Sequence, residues 1–233
     1  QENQTTTGFT DDPLQEQTQN PIPGLIHKYH GRALVTVTQQ CAIYCRYCFR
    51  RAFPYSDNRI SQHNWQQICD YLHAHSDIEE IILSGGDPLI LTDNHLQQLI
   101  DDLTAIPHLR YLRIHSRIPI VLPKRMTNAL WQTLSNHRLQ VALVVHCNHP
   151  QEIDDSIHQG LAPAKQHNIL LLNQSVLLKG VNDDPSILAK LSHTLYAAGV
   201  LPYYLHKLDK IQGSAHFALT DKEEQRIVTS LLK

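Results

Sequence analysis

Six short apolar runs recur along this chain, and the stretches between them carry helical periodicity, an alternation that few folds accommodate. The runs are ALVTVT from Ala33, EIILSG from Glu80, YLRIHS from Tyr111, VALVVH from Val141, ILLLNQSV from Ile169 and LPYYLH from Leu201. Each has strand length and is apolar at consecutive positions, the pattern of parallel strands buried on both faces. Between them, Trp65, Ile68, Cys69 and Leu72 fall at i, i+3, i+4, i+7, as do Leu96, Leu99, Ile100 and Leu103. Asp184 is placed to cap a later helix, with Pro185 in its first turn and Gly199 past its end. Thr220 and Glu223 have capping-box spacing at the start of the last helix. Six strand–helix units in succession predict an α/β fold with a parallel sheet. Right-handed crossovers wind it into an open sheet or a partial (β/α)6 TIM-like barrel, and periodicity does not choose between the two.

Residues 1–31 are polar, carry proline and lack a clear period, so they read as an extended arm before a domain spanning 32–233. A formal charge of −2 provides no basic footprint for nucleic acid. No stretch approaches the ~18 uninterrupted apolar residues of a membrane span. Three of the five cysteines lie within eight residues, which points to metal ligation in a reducing cytoplasm and away from a disulfide framework.

Those three, Cys41, Cys45 and Cys48, stand in QQCAIYCRYCFRR directly after the first predicted strand, spaced Cys-x3-Cys-x2-Cys. Thiolates suit iron–sulfur clusters, and three of them leave one iron of a four-iron, four-sulfur (4Fe–4S) cluster without a protein ligand. The alternative is structural zinc with a fourth ligand from Cys147 or a histidine. Cys69 lies on the apolar stripe of a helix and reads as core. The second strand runs into Ser84, Gly85, Gly86, Asp87 and Pro88. Its glycines would let backbone approach a ligand, and Asp87 could accept from an ammonium.

A cysteine loop of this spacing followed by SGGDP resembles the radical S-adenosylmethionine superfamily. The resemblance implies a partial (β/α)6 barrel with its strands in sequence order, in which the methionine part of the cofactor chelates the open iron and the reduced cluster cleaves it. The segments PGLIHKYHGRAL, CRYCFRR, SGGDPL, RIHSRIPIVLP, NHPQEID, NQSVLLKGVND and PYYLHKLD narrow this to the lysine 2,3-aminomutase family, nearest its short bacterial branch that makes (R)-β-lysine for elongation factor P. What this implies is an isomerase acting on free L-lysine, with pyridoxal phosphate as a further cofactor and an electron donor as partner. Nucleic acid and membrane are not expected partners, and a homo-oligomer is left open.

By the same resemblance, Lys28, Tyr29, Arg32 and Arg117 hold the pyridoxal phosphate, and Arg50 pairs with the substrate carboxylate. Asp209 takes the side-chain ammonium. His146 and Gln174 stand near S-adenosylmethionine, and His206 stacks where relatives have a tyrosine. The family's N-terminal region and its C-terminal glycine-rich segment with the Schiff-base lysine are absent from this chain. Lys233 does not match that lysine, so the full-length protein is expected to carry the tail. Two rivals remain: a radical enzyme of another class without pyridoxal phosphate, and a non-catalytic metal module.

Overall fold

The computed structural model describes residues 2–54, 58 and 60–232; Lys233 lies outside them. In chain order the elements are β1 (Leu25–Tyr29), β2 (Arg32–Thr38), α1 (Gln62–Ala74), β3 (Glu80–Gly85), α2 (Asp93–Thr104), β4 (Tyr111–Ser116), the single turn α3 (Ile118–Val121), α4 (Asn128–Ser135), β5 (Gln140–His146), α5 (Asp155–Leu161), β6 (Leu170–Val176), α6 (Pro185–Ala197), β7 (Leu201–His206) and α7 (Asp221–Leu231). The strands form one sheet in sequence order, β2 to β7 parallel, with β1 antiparallel on β2. The result is a partial (β/α)6 barrel whose edges are β1 and β7.

Local signals account for most elements. Ser61 caps α1 by accepting from the Asn64 amide at 3.1 Å. Asp184 caps α6, and Gly199 past its end takes φ +77°, a left-handed conformation that costs glycine little. Thr220 and Glu223 form the anticipated capping box on α7.

The core lies on the convex side of the sheet. Val35, Leu83, Leu112, Ile114, Leu143 and Val145 meet Ile68 and Leu72 of α1, Ile100 of α2 and Trp131 of α4 in one buried cluster. Burying each such side chain stabilises the fold by about 1.5–3 kcal/mol.

Two expectations need correction. The boundary at 31/32 cuts through a hairpin, because Leu25–Tyr29 pairs with β2 and so belongs to the sheet. Nor are all the strands buried on both faces, although β3 is buried at four consecutive positions. In β4 burial alternates, and β7 is exposed along its whole length, because the concave face of an open barrel has no second layer over it. The arm links the two edges: Thr10 bridges to Ile211 beyond β7, and Gln212 donates to the carbonyls of Thr6 and Phe9. No helix among the described residues is long and apolar enough to cross a membrane.

Candidate functional site

The cysteine loop leaves the C-terminal end of β2, the end at which parallel α/β barrels place ligands. Its tight turns are closed by backbone bonds from Cys48 to Cys45 and from Arg51 to Cys48. The three thiols are partly buried. Burial pushes the Cys41 thiol up to about 12, with Asp87 and the other two cysteines adding to the rise. Cys48 is raised by burial as well. Thiols that oppose one another's ionisation in this way favour a cationic centre that neutralises them together.

The SGGDP turn packs against the backbone that leads into the cysteine loop. The Gly86 and Asp87 amides donate to the carbonyls of Thr38 and Gln40 at 2.8 and 2.7 Å. A Cβ on Gly86 would collide with the Gln40 carbonyl, and one on Gly85 would stand 2.6 Å from that of Thr38. The glycines therefore make room for the backbone that leads into Cys41. The buried Asp87 carboxylate accepts from the Leu89, Arg117 and Ile118 amides and from the Ser116 hydroxyl. Burial raises its pKa despite these bonds. Asp87 thus staples the β3 turn to the end of β4.

Arg117 extends the same framework. Its guanidinium donates to Cys45 Sγ at 3.2 Å, to the Tyr47 hydroxyl and to Glu152 at 2.7 Å. Glu152 also accepts from the Asn148 and His149 amides, and Asn148 reaches Tyr47. Lys28, Tyr29 and Arg32 do not join Arg117. Arg32 is level with Glu80, which pairs with Tyr111, six residues and ~20 Å of strand below Arg117. Lys28 donates to the Leu14 carbonyl, and Arg32 lies 4.7 Å from the Tyr29 ring. Near Arg32 stands Arg113, paired with Glu80 at 2.7 Å and facing the Tyr203 ring. The hydrogen bond between Tyr203 and Tyr204 raises the Tyr204 pKa, and both arginines oppose that rise.

The remaining residues line the concave face toward its C-terminal end. Gln174 donates to His146 at 2.7 Å, and His146 meets His115 edge to face at 5.9 Å. Burial holds the His146 pKa down to about 3 and lowers that of His115 as well. His115 Nε2 is buried without a hydrogen-bond partner. Arg50 is buried, paired with Glu16 and bonded to Ser84. His206 is tilted against Tyr204 at 5.1 Å. Burial raises the pKa of Asp209, His206 opposes the rise and Glu16 adds to it.

As the side chains stand, no group of three or more His, Cys, Asp or Glu among the described residues could hold a metal ion. The zinc alternative needs four ligands at ~2–2.3 Å. Cys147, its candidate fourth ligand, is buried and directs its thiol to the His149 carbonyl. A four-iron cluster spreads its thiolates over separate irons, and one loop bearing three mutually coupled thiols fits that demand. The orphaned His115 nitrogen and the cations around Tyr204 fit a phosphorylated aromatic ligand on the concave face. Sequence reading missed Glu16, His115, Arg113 and Tyr47. Of these, His115 and Arg113 were accessible from strand alternation, since both share the parity of Tyr111 in β4.

Residues 35–130 match the profile of the Radical SAM superfamily. The chain is 51% identical over 225 residues to L-lysine 2,3-aminomutase of Escherichia coli K12, covering 97% of this chain and 66% of the relative. The Haemophilus influenzae protein of that name is 50% identical, with 96% and 66% covered, and the Clostridium subterminale one 38%, with 89% and 50% covered. The chain therefore spans just under two thirds of the length of the first two. Among solved structures, native anSMEcpe with bound AdoMet superposes with a TM-score of 0.63 at 10% identity, covering 85% of this chain and 59% of that one. Coproporphyrinogen III oxidase from Escherichia coli gives 0.53 at 12% identity, with 97% and 56% covered. These two establish likeness of fold alone.

Proposed function

Because this chain belongs to the lysine 2,3-aminomutase family of radical S-adenosylmethionine proteins, we propose that it carries the barrel of an isomerase that converts L-lysine to β-lysine. The observation that carries this reading is a charge pattern across one concavity. A buried guanidinium, Arg50, and a half-buried carboxylate, Asp209, are both felt by the same arm residue, Glu16. That pattern complements an amino acid with a carboxylate at one end and a second ammonium at the other. Burial raises the Asp209 pKa, and an ammonium arriving beside it would draw that value back down.

Cys41, Cys45 and Cys48 would hold the cluster, with Ser84, Gly85, Gly86, His146 and Gln174 around S-adenosylmethionine. Arg32 and Arg113, with Tyr204 and His206, would hold pyridoxal phosphate. When bound, these groups supply one-electron cleavage chemistry and the capacity for an amino group to move between adjacent carbons. The chain's own residues orient the substrate between Arg50 and Asp209, and the arm keeps water from it. The finer reading, (R)-β-lysine destined for elongation factor P, rests on the likeness to the short bacterial branch.

The experiment is electron paramagnetic resonance of the anaerobically reconstituted, reduced protein with and without S-adenosylmethionine. A 4Fe–4S signal that changes on addition is expected; zinc without sulfide would overturn the reading. In the same preparation, Asp209→Asn should raise the KM for L-lysine roughly ten- to a hundredfold. Cluster content and reductive cleavage of S-adenosylmethionine should persist; loss of the cluster would contradict the assigned role.

A further inference from the structure

The arm residue Glu16 is fully engaged with Arg50. Its two carboxylate oxygens accept from Nη2 at 2.6 Å and Nε at 2.7 Å, and the side chains are 9% and 6% exposed. A third contact runs from Arg50 Nη1 to the Ser84 hydroxyl at 2.9 Å, and the Phe49 ring lies 4.8 Å from the guanidinium carbon. The arm that delivers Glu16 is itself tied down. The Glu16 amide donates to Asp12, Thr10 bridges to Ile211, and Lys28 holds the Leu14 carbonyl.

A buried ion pair is a weak device for stability, because desolvating two charges offsets most of their attraction. Its strength lies in direction: a bidentate carboxylate fixes both the plane and the rotation of a guanidinium. Arg50 sits two residues past Cys48, on a loop with no regular secondary structure to orient it. Its aim comes from the arm on one side and the end of β3 on the other, 34 residues away in either direction. Glu16 also acts on Asp209, which lies beyond the far edge of the sheet.

We propose that Glu16 is a positioning residue that sets the pose of Arg50 for the substrate carboxylate, so that docking of the N-terminal arm completes the amino-acid site. The inference rests on the reading of Arg50 as the carboxylate-binding residue. It predicts a defect specific to ligands that carry a carboxylate. Glu16→Gln keeps the shape and removes the charge. Glu16→Asp keeps the charge, shifts it by one methylene and protects the fold if the glutamine variant does not accumulate.

The test measures equilibrium binding of L-lysine and of 1,5-diaminopentane, the same chain without the carboxylate, to the reconstituted and unreduced holoenzyme by calorimetry. Steady-state KM and kcat for L-lysine follow after reduction. Either Glu16 variant is expected to weaken L-lysine binding and raise KM roughly tenfold or more. Diamine affinity and kcat should stay within about threefold. Two results overturn the proposal: equal weakening of lysine and diamine, which marks general damage to the site, and lysine affinity within about twofold of the parent. Arg50→Lys, measured alongside, tells the failures apart. If it weakens lysine selectively while the Glu16 variants do not, only the positioning role falls. If it has no effect on lysine, the reading of Arg50 falls and this inference falls with it.

Discussion

β4 and β7 are both six-residue strands of the same parallel sheet, yet they live in different surroundings. Leu112 and Ile114 of β4 are 1% and 0% exposed, whereas Leu201, Tyr203, Tyr204 and Leu205 of β7 are 38–44% exposed. The wall around β4 is backed by α2 and α4 and stapled at its end by Asp87. Beside β7, α6 and α7 share a small satellite cluster of Leu177, Leu188 and Ile227, and the segment after β7 is tied by the arm. One wall is a scaffold for the cysteine loop, and the other is a surface that presents His206 and Asp209. A barrel can thus hold the side that supports the cysteine loop rigid while leaving the β7 side adaptable.

Three measurements would break or sharpen this contrast. The largest effect is expected at the interlock. Gly86→Ala forces a Cβ into the Gln40 carbonyl, so iron and sulfide content after reconstitution should collapse; full loading would show that the cysteine loop does not depend on this packing. Next comes the core: Leu112→Ala should cost about 2–5 kcal/mol in denaturant unfolding, and Leu205→Ala under about 1 kcal/mol. Equal costs would mean that β7 is covered in solution.

The smallest effect is in pH. His146 is held neutral with its pKa near 3, and His206 is lowered by burial while Asp209 opposes the shift. The folded value lies below the unfolded one, so the His146 contribution is intact above pH ~6.5. As pH falls, the unfolded chain gains a proton that the fold refuses. Stability then drops by up to about 1.4 kcal/mol per pH unit. Unfolding midpoints between pH 7 and 5 should flatten in His146→Gln and change less in His206→Gln. A larger change at His206 would reverse the assignment of the closed and open walls.

Much of this was legible before any coordinates. The six apolar runs became β2 to β7 within about one residue at each end, because an apolar run of strand length declares itself by local composition. The caps at Asp184 and Thr220 were equally readable, since a cap and its amide lie within three residues. β1 was missed because LIHKY carries only two apolar residues before its polar half, and its place in the sheet is set by the hairpin with β2. Arg117 was legible as a cation at a strand end, but its attachment to Glu152 and Cys45 was not.

Sequence alone determined the α/β architecture, the succession of strand–helix units and the gathering of three cysteines on one loop, since each follows from short-range periodicity or spacing. Only the tertiary structure decided the partners of the buried charges: Asp87 with the end of β4, Arg113 with Glu80, Arg50 with Glu16. The physical reason is that a charge taken out of water must find its partner through space, and that partner can stand anywhere along the chain.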